Sequence, residues 1–128
     1  MLSGLLAAVL AWLINKLTVE KLGTVAIFSF VPLTEELLKT AFAFLLDSSI
    51  LYTHLTFGLA EAIFDVLRPG LGQAPAGLMS LLSHGLYGWL TVKIFLWSGS
   101  IWLALAVTIT LHSLWNAGVI FLPTWKRR

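Results

Sequence analysis

Long apolar runs, interrupted by a few polar residues at helical spacing, organise this chain. A helix needs about 20 mostly apolar residues to cross a bilayer, and five stretches are candidates: Leu2 to Leu17, Leu22 to Leu46, Ile50 to Leu67, Gly77 to Trp97, and Ile101 to Leu122. The first is short. The second is long and is expected to break near Pro32, which lacks a backbone donor and disfavours helix in the residue before it. Thr34 is a candidate N-cap for a fresh segment beginning at Glu35 or Glu36, so this stretch reads as a half-span followed by a re-entrant or tilted helix. "RPGLGQAPAG", Arg68 to Gly77, is rich in Gly and Pro and is the one clear loop. The pattern predicts an all-α integral membrane protein. Its expected form is a bundle of about five transmembrane helices with a Pro-broken second span, in a single domain over residues 1–128.

Composition supports the bilayer. Of 128 residues, 59% are hydrophobic and 11% charged, with mean hydropathy +0.93, whereas a soluble domain carries about 25% charged residues. A net charge of +2 is too small to argue for a nucleic-acid partner. The absence of cysteine excludes disulfides and thiolate metal ligands. "MLSGLLAAVLAWLINK" lacks the positive start of a cleaved signal peptide, so a retained first span is expected. Lys16, Lys21, Arg68, Lys126, Arg127 and Arg128 all fall on one side of a five-span arrangement. The N-terminus, "DSS" and "SGS" fall on the other, and Lys93 alone breaks the rule. By the positive-inside rule the chain is a multi-pass protein of the cell membrane with its C-terminus cytoplasmic.

Charge inside the spans is the feature that needs chemistry. A mid-bilayer charge costs at least about 2.5–3.5 kcal/mol on insertion scales. Glu35 and Lys39 are four residues apart on one helix face, which allows an ion pair. Glu61 and His84 each lie about two turns inside the cytoplasmic ends of their spans, and His112 and Asn116 share a face two to three turns inside the last. Four helices thus direct ionisable groups to one depth. Simpler readings exist for single members. Glu36 can serve a helix start through the helix dipole, and His54 can be a staple between helices near the outer surface. Asp65 and Arg68 can pair at the interface. Ser83, Gly85 and Gly88 form a small-residue face for close helix approach. Trp97, Trp102 and Trp125 suit the aromatic belts. Convergence of Glu35, Glu36, Glu61, His84, His112 and Asn116 is what these readings leave unexplained. Three carboxylates against one Lys leave about two negative charges, so either a carboxyl holds a proton or a divalent cation sits there. The first gives a general acid/base and the second an activated water.

"PLTEELLK", "FGLAEAIF", "LLSHGLYGWL" and "LHSLWNAG", in that order, resemble the PrsW family of intramembrane proteases. That family lies within the superfamily of CAAX prenyl endopeptidases and bacteriocin-processing (Abi) proteins. The resemblance covers Val31 to Gly118; Ala62 stands where such proteins usually carry Asn, and "AGLMSLLSH" lacks the Arg that such proteins often carry several residues before the His. It implies an endopeptidase acting on a membrane protein or a lipidated peptide within the bilayer. Glu35, Glu36, His84, His112 and Asn116 become the catalytic set, with Lys39 and Glu61 supporting. Two versions follow. In one, Glu35 takes the proton of a water that His84 positions, and His112 with Asn116 stabilise the oxyanion, with no metal. In the other, His84, His112 and Glu61 hold Zn²⁺ while Glu35 is the base. The rival readings are a catalytically inactive membrane scaffold and a Glu/His proton-coupled transporter.

Overall fold

The computed structural model describes residues 1–67 and 73–121, and each of its regular elements is an α-helix: α1 Leu2–Leu22, α2 Thr24–Phe28, α3 Phe30–Leu45, α4 Ile50–Leu67, α5 Gln73–Ser98 and α6 Ile101–Phe121. α1 outlasts its apolar run, carrying Lys16, Glu20 and Lys21 within the helix until Gly23 stops it at φ +63°. That left-handed backbone suits a residue without Cβ. The long second stretch divides into α2 and α3 at Ser29 (φ −121°, ψ −70°). The break thus falls three residues before Pro32. The proline sits in the first turn of α3, where a missing N–H sacrifices no helical bond. Thr34 is accordingly an interior helical residue and caps nothing, and Glu36 lies too far into α3 to serve its start.

α3 and α4 are joined by a tight reversal, with Asp47 in the left-handed region and the Ser48 N–H donating to the Ala43 carbonyl. The anticipated loop is shorter than its composition suggests. Helix resumes at Gln73, with Pro75 again tolerated in a first turn. Residues 68–72 and 122–128 lie outside the described residues, and with them the Asp65–Arg68 pair, Trp125 and the basic terminus. α1, α4 and α6 are long and apolar enough to cross a membrane, by length and composition. α3, with 16 residues, spans only about 24 Å at 1.5 Å per residue, short of the ~30 Å core.

The bundle is apolar outside and polar within. Leucines, valines and aromatics cover the outer faces, and Trp97 and Trp102 are exposed beside the α5–α6 turn. Among the described residues, Glu35, Glu36, Lys39, all three histidines and several threonines are buried, while the buried hydrophobic residues are mostly alanines. Small side chains allow this. α1 presents Ser3, Gly4, Ala7 and Ala11 to its neighbours, and a Cβ on Gly4 would lie 2.6 Å from the Thr53 carbonyl oxygen. α4 and α5 touch through Gly58 and Gly88, where added Cβ atoms would meet the Cβ atoms of His84 (2.9 Å) and His54 (2.6 Å). Without a hydrophobic drive between helices in lipid, such close packing and interhelical hydrogen bonds supply the cohesion.

These contacts set an expected contrast. Gly88→Ala forces a methyl onto His54 and should lower the thermal midpoint in detergent, at about 1–3 kcal/mol for overpacking. Gly118→Ala, whose methyl meets nothing within 4 Å, should be neutral or slightly stabilising. Circular dichroism melts of the two variants check this.

Candidate functional site

Successive residues of a helix point about 100° apart, so Glu35 and Glu36 face different sides and meet at opposite nitrogens of His112. Glu36 is fully buried and turns to the bundle axis. Its Oε1 accepts from Lys39 Nζ at 2.6 Å and from His112 Nδ1 at 2.9 Å, and its Oε2 lies 3.0 Å from His54 Nε2. One carboxylate thereby ties α3 to α4 and α6. The ion pair is therefore Lys39–Glu36 at i,i+3, and the expected Glu35–Lys39 pair does not form. Both spacings share a helix face, and the partners on the other helices decide between them.

Lys39 is also fully buried. Its Nζ donates to His84 Nδ1 at 2.8 Å and stands 4.7 Å from the Phe57 ring centroid. An ammonium has no lone pair to offer, so His84 Nδ1 accepts and His84 carries its proton on Nε2, which donates to Glu61 Oε2 at 2.6 Å. Ser80 Oγ donates to the same oxygen at 2.9 Å. Glu61 is the most open of the three acids, its side chain 36% exposed. The same reasoning fixes His112. With Nδ1–H given to Glu36, its Nε2 presents a lone pair. Tyr87 stacks on the His112 ring at 4.8 Å between centroids, and Phe57 meets His84 edge-on.

Glu35 points the other way. Its Oε1 accepts from Asn15 Nδ2 of α1 at 2.9 Å. Its Oε2 faces His112 Nε2 at 3.8 Å and His84 Nε2 at 4.0 Å, both too long for direct hydrogen bonds. The three residues line one cavity of about 580 Å³, together with Glu61, Trp115 and Asn116. Its walls come from the start of α3, the end of α4, the start of α5 and the later half of α6. In this up-and-down arrangement those are one end of the bundle, the end where α1 carries Lys16 and Lys21.

Of the residues expected at the site, Glu35, Glu36, Glu61, His84, His112 and Lys39 come together, in contact or through one shared partner. Asn116 lines the cavity, but its Nδ2 donates to the Ile27 carbonyl (2.9 Å) and so anchors α2 beside the Ser29 break. His54 does join helices as expected, yet its partner is the site carboxylate Glu36, so it belongs to the network. Asn15 and Tyr87 were not anticipated. The one signal for Asn15 is an amide inside an apolar run.

A metal fits here with one adjustment. Glu35, His84 and His112 each offer a ligand atom within 4.8 Å of the others and could hold an ion. The acid in this set is Glu35, not Glu61, whose contact is instead with the protonated nitrogen of His84. His112 is ready as it stands, its far nitrogen oriented by Glu36 as ligand histidines commonly are. His84 would have to release the Nε2 proton, and metal binding characteristically releases protons. No protein-family model, curated protein or solved structure matches this chain.

The two adjacent acids should behave differently on substitution. Glu36→Gln leaves buried Lys39 without its counter-charge, and breaking a buried pair costs about 3–5 kcal/mol. Glu35→Gln, which keeps a hydrogen-bonding oxygen for Asn15, should leave the thermal midpoint nearly unchanged. Parallel melts in one detergent measure the difference.

Proposed function

We propose that the protein is an intramembrane endopeptidase in which Glu35 activates water against a peptide bond held in the cavity. The observation that carries this reading is the pair of acceptors facing each other across the cavity wall, Glu35 Oε2 and His112 Nε2, 3.8 Å apart. That spacing suits a water donating one hydrogen to each, its remaining lone pairs turned into the cavity. Attack moves the water oxygen onto the carbonyl carbon and one proton onto Glu35, which then delivers it to the departing amine. Asn116 donates one amide hydrogen to Ile27 and has a second for the developing oxyanion. Lys39 and Glu36 hold His84 and His112 in their tautomers, and Glu61 receives the His84 Nε2–H. Held by Glu35, His84 and His112, Zn²⁺ would supply Lewis-acid polarisation of water and carbonyl.

The order of the motifs resembles that of PrsW-type proteases, and the substrate class in this reading is a membrane protein or lipidated peptide. The cavity lies at the basic end of the bundle, which the positive-inside rule places in the cytoplasm. In this reading the chain is a multi-pass protein of the cell membrane with α3 and α5 completing five membrane elements. A passive scaffold gains nothing from a carboxylate facing two imidazoles it does not touch, and a transporter needs a path that leaves by both ends.

Two measurements test the proposal. Purified protein in lipid should cleave a transmembrane peptide, and Glu35→Gln should reduce turnover by about 10²–10⁴, the worth of general base catalysis, with the helices still assembled. Equal turnover in Glu35→Gln and wild type would return Glu35 to structure. Elemental analysis alongside decides the water's activator. About one zinc per chain that disappears in His84→Ala and His112→Ala assigns the metal, and metal-free protein that still cleaves assigns Glu35 alone. For orientation, Ser49→Cys should react with an impermeant thiol reagent in intact cells and Glu20→Cys should not; the reverse pattern inverts the topology.

A further inference from the structure

α1 lies outside the stretch that carries the motif resemblance, yet among the described residues it supplies the one direct side-chain hydrogen bond to Glu35: Asn15 Nδ2 to Oε1, 2.9 Å. The placement is not casual. Ala7 and Ala11 are fully packed against α3 and α4, and Asn15 is the next residue at the same four-residue spacing. The close contact of Gly4 with Thr53 and Phe57 fixes the height of α1 against α4, and the Ser3–Thr53 hydrogen bond of 2.8 Å repeats the restraint. Register and face together therefore deliver one amide to one carboxylate oxygen.

Stability alone does not account for that amide. Its Oδ1 is buried and has no hydrogen-bond partner among the described residues. A buried unsatisfied acceptor costs free energy, and replacing both members of such a pair by apolar groups of similar shape is commonly neutral or stabilising. In an apolar environment Leu at 15 opposite Met at 35 would pack without an orphaned atom. A feature that costs stability and aims a carboxylate at two imidazoles has the character of a functional device.

We infer that Asn15 is a positioning residue for Glu35. By occupying Oε1 it turns Oε2 toward His84 and His112, and it makes α1 a working part of the site. This rests on the reading of Glu35 as the group that acts on water. Asn15 does not line the cavity. Its effect passes entirely through the carboxylate, so its loss should lower kcat and leave KM unchanged.

The test separates this inference from the protease reading by pairing a stability cycle with kinetics. In detergent melts, Asn15→Leu and Glu35→Met should each shift the midpoint, and the double variant should be at least as stable as wild type, because the amide and carboxylate leave together. Additive shifts in the double variant would show that the two side chains are not coupled, and would overturn the inference whether or not the protein cleaves anything. With a cleavable transmembrane peptide, Asn15→Leu should reduce kcat by about 10–100-fold at unchanged KM. Wild-type kcat in Asn15→Leu would reduce Asn15 to a packing residue.

Discussion

One carboxylate holds the arrangement together. Glu36 is completely buried and gathers Lys39 from its own helix, His54 from α4 and His112 from α6. Burying a carboxylate and an ammonium is expensive, and the expense is offset only where geometry is good and the remaining lone pairs and protons are used. Most of them are used here: the first Glu36 oxygen takes two donors and the second faces His54, while Lys39 gives two of its three protons to Glu36 and His84 and stands 4.7 Å from the Phe57 ring centroid. In a bundle without a strong apolar drive between helices, that network specifies which faces meet and at what height.

The glycines and the network depend on one another. Gly58 and Gly88 bring α4 and α5 together at the two histidines, and only at that separation does His84 reach both Lys39 and Glu61 while His54 reaches Glu36. The protons then follow. An ammonium at Nδ1 sends the His84 proton outward, and a carboxylate at Nδ1 leaves the His112 lone pair facing the cavity. Adjacent acids acquire opposite duties as a result. Glu36 is saturated with partners and shut away from the cavity, whereas Glu35 has one donor behind it and two ring nitrogens ahead, at 3.8 and 4.0 Å, beyond direct hydrogen bonding.

The sequence by itself determined that the protein is helical, that it belongs in an apolar environment, and that several helices carry ionisable groups to one level. Those conclusions rest on composition and on periodicity, which are local. It also marked Glu35, Glu36, Glu61, His84 and His112, because charge within an apolar run is conspicuous. What it did not determine was pairing. Glu35 and Glu36 are both within reach of Lys39 along the helix, and no local rule chooses between i,i+3 and i,i+4. The choice came from His54, His84 and His112, which are distant in sequence. Pro32 pointed to a break nearby because a proline in mid-helix costs a hydrogen bond, and the structure puts that break at Ser29, with α3 starting at Phe30 so that the proline falls in its first turn. The role of Asn15 and the partnership of His54 with Glu36 were decided by the tertiary structure: the small residues Ser3, Gly4, Ala7 and Ala11 mark a close-packing face of α1, but which helix that face meets, and which side chain Asn15 and His54 reach there, depend on residues distant in sequence.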